Sequence, residues 1–73
     1  MSEPLRLLDV VALTAERPDL GLRRGAVGTV VEELAPGVVA VEFSDDTGRA
    51  YALAHFTTAE VMALHYRPAV AAG

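Results

Sequence analysis

Chemistry needs side chains that converge, and this chain of 73 residues has few that could. His55 and His65 are its only imidazoles, and a metal would need both of them together with carboxylates such as Asp45 or Asp46. The two histidines fall on different predicted segments with no ligand-type spacing, so no metal site is expected. A hydrolytic nucleophile needs a base within hydrogen-bond reach. The hydroxyls on offer are Ser2 near the start, Ser44 in a turn, and threonines suited to turns and caps, and none has a base beside it. The reading is therefore of a non-enzyme without a cofactor. What remains is charge. Arg23-Arg24 stands at a loop end and has the chemistry to grip a carboxylate or a phosphate. Asp45-Asp46 reads either as an acidic binding tip or as a turn that bonds its own backbone.

Composition narrows the partners. Six arginines against ten acids give a formal charge of −4 and a pI near 4.9, a balance that repels a phosphate backbone and makes nucleic acid an unfavourable partner. A basic protein is the electrostatic complement, although mild acidity also serves solubility alone. The chain has no Cys, Lys, Asn, Gln, Ile or Trp, and its reliance on Arg and Ala suggests a GC-rich bacterial source. Without cysteine there is no disulfide framework and no thiolate metal site, as suits a reducing cytoplasm. No apolar run approaches the roughly 20 residues of a membrane span, and Met1-Ser2-Glu3-Pro4 does not open a signal peptide. A soluble, cytoplasmic protein is expected.

The elements that must position these residues read as β throughout. Leu7 to Leu13 is a first strand, apolar on both faces. Thr14 to Arg24 is a long loop in which Pro18 fixes φ, Gly21 permits a reversal, and Leu20 and Leu22 tuck back to hold it down. Gly25 closes the loop with a positive φ, and Gly28 permits a bulge or a close pass of another backbone segment and is where the next strand, Ala26 to Leu34, is expected to bend. Ala35-Pro36-Gly37 is a tight turn. Val38 to Phe43 follows with clean period two, placing Val39, Val41 and Phe43 in the core. Ser44 to Gly48 makes the next turn and Arg49 to Phe56 the fourth strand. Thr57-Thr58-Ala59-Glu60 fits a capping box with room for one helical turn, and Val61 to Tyr66 closes the set. The expected fold is all-β: a small SH3-like five-stranded antiparallel barrel over residues 7–66, with one short helical turn before the last strand and tails at 1–6 and 67–73.

Leu8 to Leu13, Gly21 to Glu32 and Glu42 to Leu53 together resemble a family of small bacterial proteins described only as a domain of unknown function, DUF4926. The three stretches span about two thirds of the chain, from Leu8 to Leu53, and the resemblance implies a small bacterial domain without an assigned activity. Proteins of this kind are associated with toxin-like nucleases, and the resemblance implies an antitoxin or immunity-type role. Gly25-x-x-Gly28-x-Val30 before a hairpin is also similar to the KOW motif of ribosomal and elongation proteins. The barrel itself is similar to electron-transport accessory proteins and to part of nitrile hydratase β chains.

The functional expectation is a protein-binding module that touches its partner through Glu16, Arg17, Asp19, Arg23 and Arg24 of the long loop and Asp45, Asp46, Arg49 and Tyr51 around the acidic turn. Rigid scaffolds present varied side chains from loops in this way. The alternatives are an RNA or ribosome contact through Arg23, Arg24 and Arg49, and an accessory subunit of a redox or metalloenzyme. Apolar residues on both faces of Leu7 to Leu13 and of Ala50 to Phe56 point to a partner or a second copy, or else to a bent barrel that uses both faces.

Overall fold

Residues 5–65 are described by a computed structural model. Within them Val39, Val41 and Phe43 alternate with Ala40 and Glu42 in a strand, as period two requires, and all three of the former are buried. This strand is β3, Val38–Ser44, and it lies beside β2, Val27–Ala35, and β4, Ala50–Thr57. β1, Val10–Leu13, and β5, Val61–Ala63, complete one antiparallel sheet of order β4-β3-β2-β1-β5. No α-helix forms among the described residues; Pro18–Leu20 and Thr58–Glu60 are single 3-10 turns. The second is the helical turn expected before the last strand. Its Glu60 carboxylate accepts the Thr57 N–H at 2.8 Å and the Thr57 hydroxyl at 3.2 Å.

That short turn dictates the shape of the sheet. β4 and β5 are its two edges, and in a flat sheet four strand spacings would separate them by about 19 Å. Thr58–Glu60 joins them with three residues, which at roughly 2 Å each span well under half that distance. The sheet must therefore curl until its edges approach at this end. Curling gathers Val11, Leu13, Val30, Val39, Val41, Phe43, Phe56 and Val61 into one core with Leu22 from the long loop. Phe43 and Phe56 meet edge-on at 5.8 Å. The expected closure is not completed by hydrogen bonds, since no ladder joins β4 to β5 among the described residues. β5 is only three residues long, and its pairing is with β1.

The bend expected at Gly28 lies elsewhere. Gly28 is paired in register with Val11 on one side and Phe43 on the other. Its contribution is room: a Cβ there would stand 2.6 Å from Val41 Cγ1 and 2.8 Å from the Glu42 carbonyl oxygen. The irregularities are two register shifts, between Val30 and Glu32 and between Glu33 and Ala35. Each inserts one residue, Val31 or Leu34, and turns the strand. That is why Val30 is buried while Val31 and Leu34 are exposed.

Three boundaries also differ. β1 starts at Val10 rather than Leu7, because Leu8 takes a left-handed φ of 72° and the Asp9 carboxylate accepts the Arg6 N–H at 2.9 Å, forming a turn. Leu7 and Leu8 are left 61% and 72% exposed. Leu5, assigned to the tail by sequence, packs against the core. β5 stops at Ala63 instead of running to residue 66; Tyr66, the tail at 67–73 and residues 1–4 lie outside the described residues.

Candidate functional site

The loop between β1 and β2 is a pair of arms stapled at their middle. Arg17 N–H donates to the Leu22 carbonyl at 2.8 Å and Leu22 N–H to the Arg17 carbonyl at 3.0 Å. The turn at Pro18–Leu20 and a left-handed Gly21 reverse the chain between them. Leu22 tucks into the core as expected, whereas Leu20 stays on the surface.

Two of the three charges on the outgoing arm, Arg17 and Asp19, are tied up in ion pairs. Arg17 donates through Nε and Nη2 to the two Asp19 oxygens at 3.1 and 3.0 Å, and through Nη1 to Glu60 at 3.2 Å. Its guanidinium lies 5.5 Å from the centre of the Phe56 ring, at the end of the sheet where the Thr58–Glu60 turn joins β4 to β5. The hydrogen bond from Arg17 holds the Asp19 carboxyl below its ordinary range. Glu60 is also held low, first by the Thr57 N–H and then by the Thr57 hydroxyl and Arg17. Thr14 N–H adds a bond to the Glu60 carbonyl at 3.0 Å. Glu16, on the same arm, is exposed.

The returning arm leaves its charges exposed. Gly25, with φ 87°, closes a turn in which Ala26 N–H reaches the Arg23 carbonyl at 3.0 Å, while Gly25 N–H is held by the Leu13 carbonyl at 2.8 Å. The backbone is thus anchored to β1. Arg23 and Arg24 project from it exposed, with no ion pair among the described residues. Facing them is Tyr51. The ladder passes from Phe43 opposite Ala52 to Ser44 opposite Ala50, so Tyr51 is an extra residue on β4. The bulge tips its ring to 6.5 Å from Phe43 and leaves it 54% exposed. Gly21–Ala26 and Tyr51 line an open pocket of about 400 Å³. Guanidinium and phenol groups lining one pocket are of the chemical types that suit an anionic group, held by charge-assisted hydrogen bonds.

In the acidic turn Asp45 bonds its own backbone, one of the two readings open to it. Asp45 Oδ1 accepts the Thr47 N–H at 2.9 Å, the Thr47 hydroxyl at 2.6 Å and the Arg49 N–H at 3.0 Å. The Thr47 hydroxyl, and next the Arg49 N–H, hold its carboxyl below the ordinary range. Asp46 and Arg49 are exposed and do not line the pocket.

Of the nine residues singled out by sequence, the structure therefore brings Arg23, Arg24 and Tyr51 together, ties Arg17 to Asp19, and turns Asp45 inward on its own loop. Glu60 and Phe56, the tertiary partners of Arg17, were outside that set. The capping pattern marks Glu60 in the sequence, but no local signal pairs it with a residue 43 positions away. No group of three or more His, Cys, Asp or Glu that could hold a metal occurs among the described residues. No helix there is long and apolar enough to cross a membrane.

Residues 7–63 match the family described as Domain of unknown function (DUF4926). The match spans most of the chain and contains every stretch that carried the resemblance. No curated protein and no solved structure matches the chain. The protein belongs to the DUF4926 family.

Proposed function

We propose that this DUF4926 member is a non-enzymatic protein-binding module whose contact surface is the returning arm Gly21–Ala26 with Tyr51. The observation that carries the reading is the contrast in charge use: Arg23 and Arg24 are exposed, with no ion pair among the described residues, beside an exposed aromatic ring on a backbone anchored to β1. Arg and Tyr are among the residue types enriched at protein interfaces. The group seated there is acidic, a carboxylate on the partner's surface, whatever the partner's overall charge. Antitoxin, immunity-type and accessory roles are all forms of this reading, as is the product of a neighbouring gene as partner.

Two finer readings accompany it. The strand order, the 3-10 turn before β5 and the shared core favour an SH3-like barrel for the curled sheet. The composition favours a bacterial, cytoplasmic setting.

The test is recovery of bound protein on immobilised wild-type chain and on an Arg23→Ser/Arg24→Ser variant. A protein held by the first and lost from the second supports the surface, and equal recovery removes it. The same three side chains also suit an RNA contact, since arginines neutralise phosphate and a ring stacks on a base. A salt series of mobility shifts separates the two: absence of RNA binding at low salt eliminates that alternative.

A further inference from the structure

β4 ends the sheet on one side, and nothing among the described residues pairs with its outer edge. Exposed edges are usually blunted by shortness, charge or proline. The opposite edge, β5, is blunted by its three residues. β4 is not: it runs for eight residues, Ala-Tyr-Ala-Leu-Ala-His-Phe-Thr, with neither charge nor proline.

The ladder determines which of its backbone groups face outward. Val30 N–H donates to the Asp9 carbonyl at 2.9 Å and the Val30 carbonyl accepts the Leu8 N–H at 2.7 Å, so Val30 directs its groups away from β3. Antiparallel strands alternate this direction residue by residue. Thr29 then faces β3 and bonds Glu42, while Val41 and Phe43 face β4 and bond Ala54 and Ala52. Leu53 and His55 are left with N–H and C=O directed out of the sheet. The stretch is bounded at both ends. Thr57 N–H is already taken by Glu60, and Tyr51 is displaced by its bulge.

We propose that this edge pairs with the same edge of a second copy of the chain, antiparallel, about a two-fold axis at Ala54. Leu53 of each copy then forms a hydrogen-bonded pair with His55 of the other, and both outward-facing residues are satisfied. Ala54 meets its own counterpart in the non-hydrogen-bonded position, where Cα atoms approach to about 4.5 Å and small side chains fit best. An axis at Leu53 instead sets His55 against the displaced Tyr51 and leaves its groups poorly matched. A second copy is the occupant because the edge is self-complementary: its free residues are each other's partners. The meeting strand is also uncharged in a chain of net charge −4. The exposed Leu53 side chain, 64% accessible in the single chain, gains cover. Arg23 and Arg24 take no part, so this pairing stands or falls separately from the loop surface.

Sedimentation equilibrium of the full chain across concentration tests it. The expected mass rises toward twice the 7.7 kDa of one chain. His55→Pro removes an outward N–H without touching the β3 ladder, and Leu53→Lys adds a charge at an exposed position; each is expected to give a monomer. Leu53→Lys alters only an exposed side chain, so it tests the interface even if the proline variant fails to fold. The chain has no other cysteine, so mixed Leu53→Cys and His55→Cys variants are expected to cross-link to each other under mild oxidation. A wild-type chain that stays monomeric at millimolar concentration, or a dimer that survives Leu53→Lys, overturns the pairing.

Discussion

Both arms of the long loop carry arginine and use it in opposite ways. Arg17 on the outgoing arm is bonded to Asp19 and Glu60 and lies over Phe56. Arg23 and Arg24, a few residues on, are held by a backbone turn and offer their guanidinium groups to solvent. The first arm is fastened to the turn that joins β4 to β5, and the second presents its side chains on the surface beside it. Counting charges along a loop does not separate these roles. What separates them is whether the fold brings a carboxylate within reach.

Four measurements would break or sharpen this contrast. The largest effect is expected from Leu22→Ala. Leu22 is 3% exposed and staples both arms, and emptying such a site costs about 2–5 kcal/mol. A chain of this size has only about 4–11 kcal/mol in all, so the urea midpoint should fall steeply and both arms should lose hydrogen-exchange protection together. Arg17→Ala comes next. It should lower the urea midpoint less than Leu22→Ala but measurably, whereas Arg24→Ala should leave it unchanged. Equal effects at the two positions would erase the distinction between the arms.

Acid is a gentler probe. Asp19, Asp45 and Glu60 all titrate lower in the folded chain than their ordinary values. Their stabilisation is therefore complete above the unfolded carboxylate range of about 4 and is lost as pH falls through the lower folded values. The urea midpoint should be flat from neutral pH down to about 5 and decline below about 4. Arg17→Ala should remove the part of that decline due to Asp19, whose main partner is Arg17. It should spare the part due to Asp45, whose main partner is Thr47. The smallest change in stability belongs to Arg23→Ser/Arg24→Ser, where thermal unfolding should match wild type within error while partner binding is lost.

Much of the scaffold was legible in the residues themselves. The alternation of Val39, Val41 and Phe43 places β3, and Thr57 with Glu60 places the turn before β5. Gly28 was recognisable as a close approach, but the bend assigned to it belongs to bulges at Val31 and Leu34. Bulges depend on what the neighbouring strand pairs with, so a single strand's pattern does not locate them. The start of β1 was hidden for a related reason: Leu7 and Leu8 have the composition of a strand, yet the local bond from Arg6 N–H to Asp9 wins there. At the site, Arg23 and Arg24 were visible as an exposed pair. Their convergence with Tyr51 joins positions far apart in sequence through a bulge in β4.

The central claim is that the anion-seeking surface is the returning arm. Titrating the isotope-labelled chain with a capped tri-glutamate peptide, followed residue by residue through backbone amide resonances, tests it most directly. The account predicts shifts confined to Gly21–Ala26 and Tyr51, abolished in the Arg23→Ser/Arg24→Ser variant. Shifts centred instead on Asp45 to Arg49, or none at saturating peptide, would contradict it.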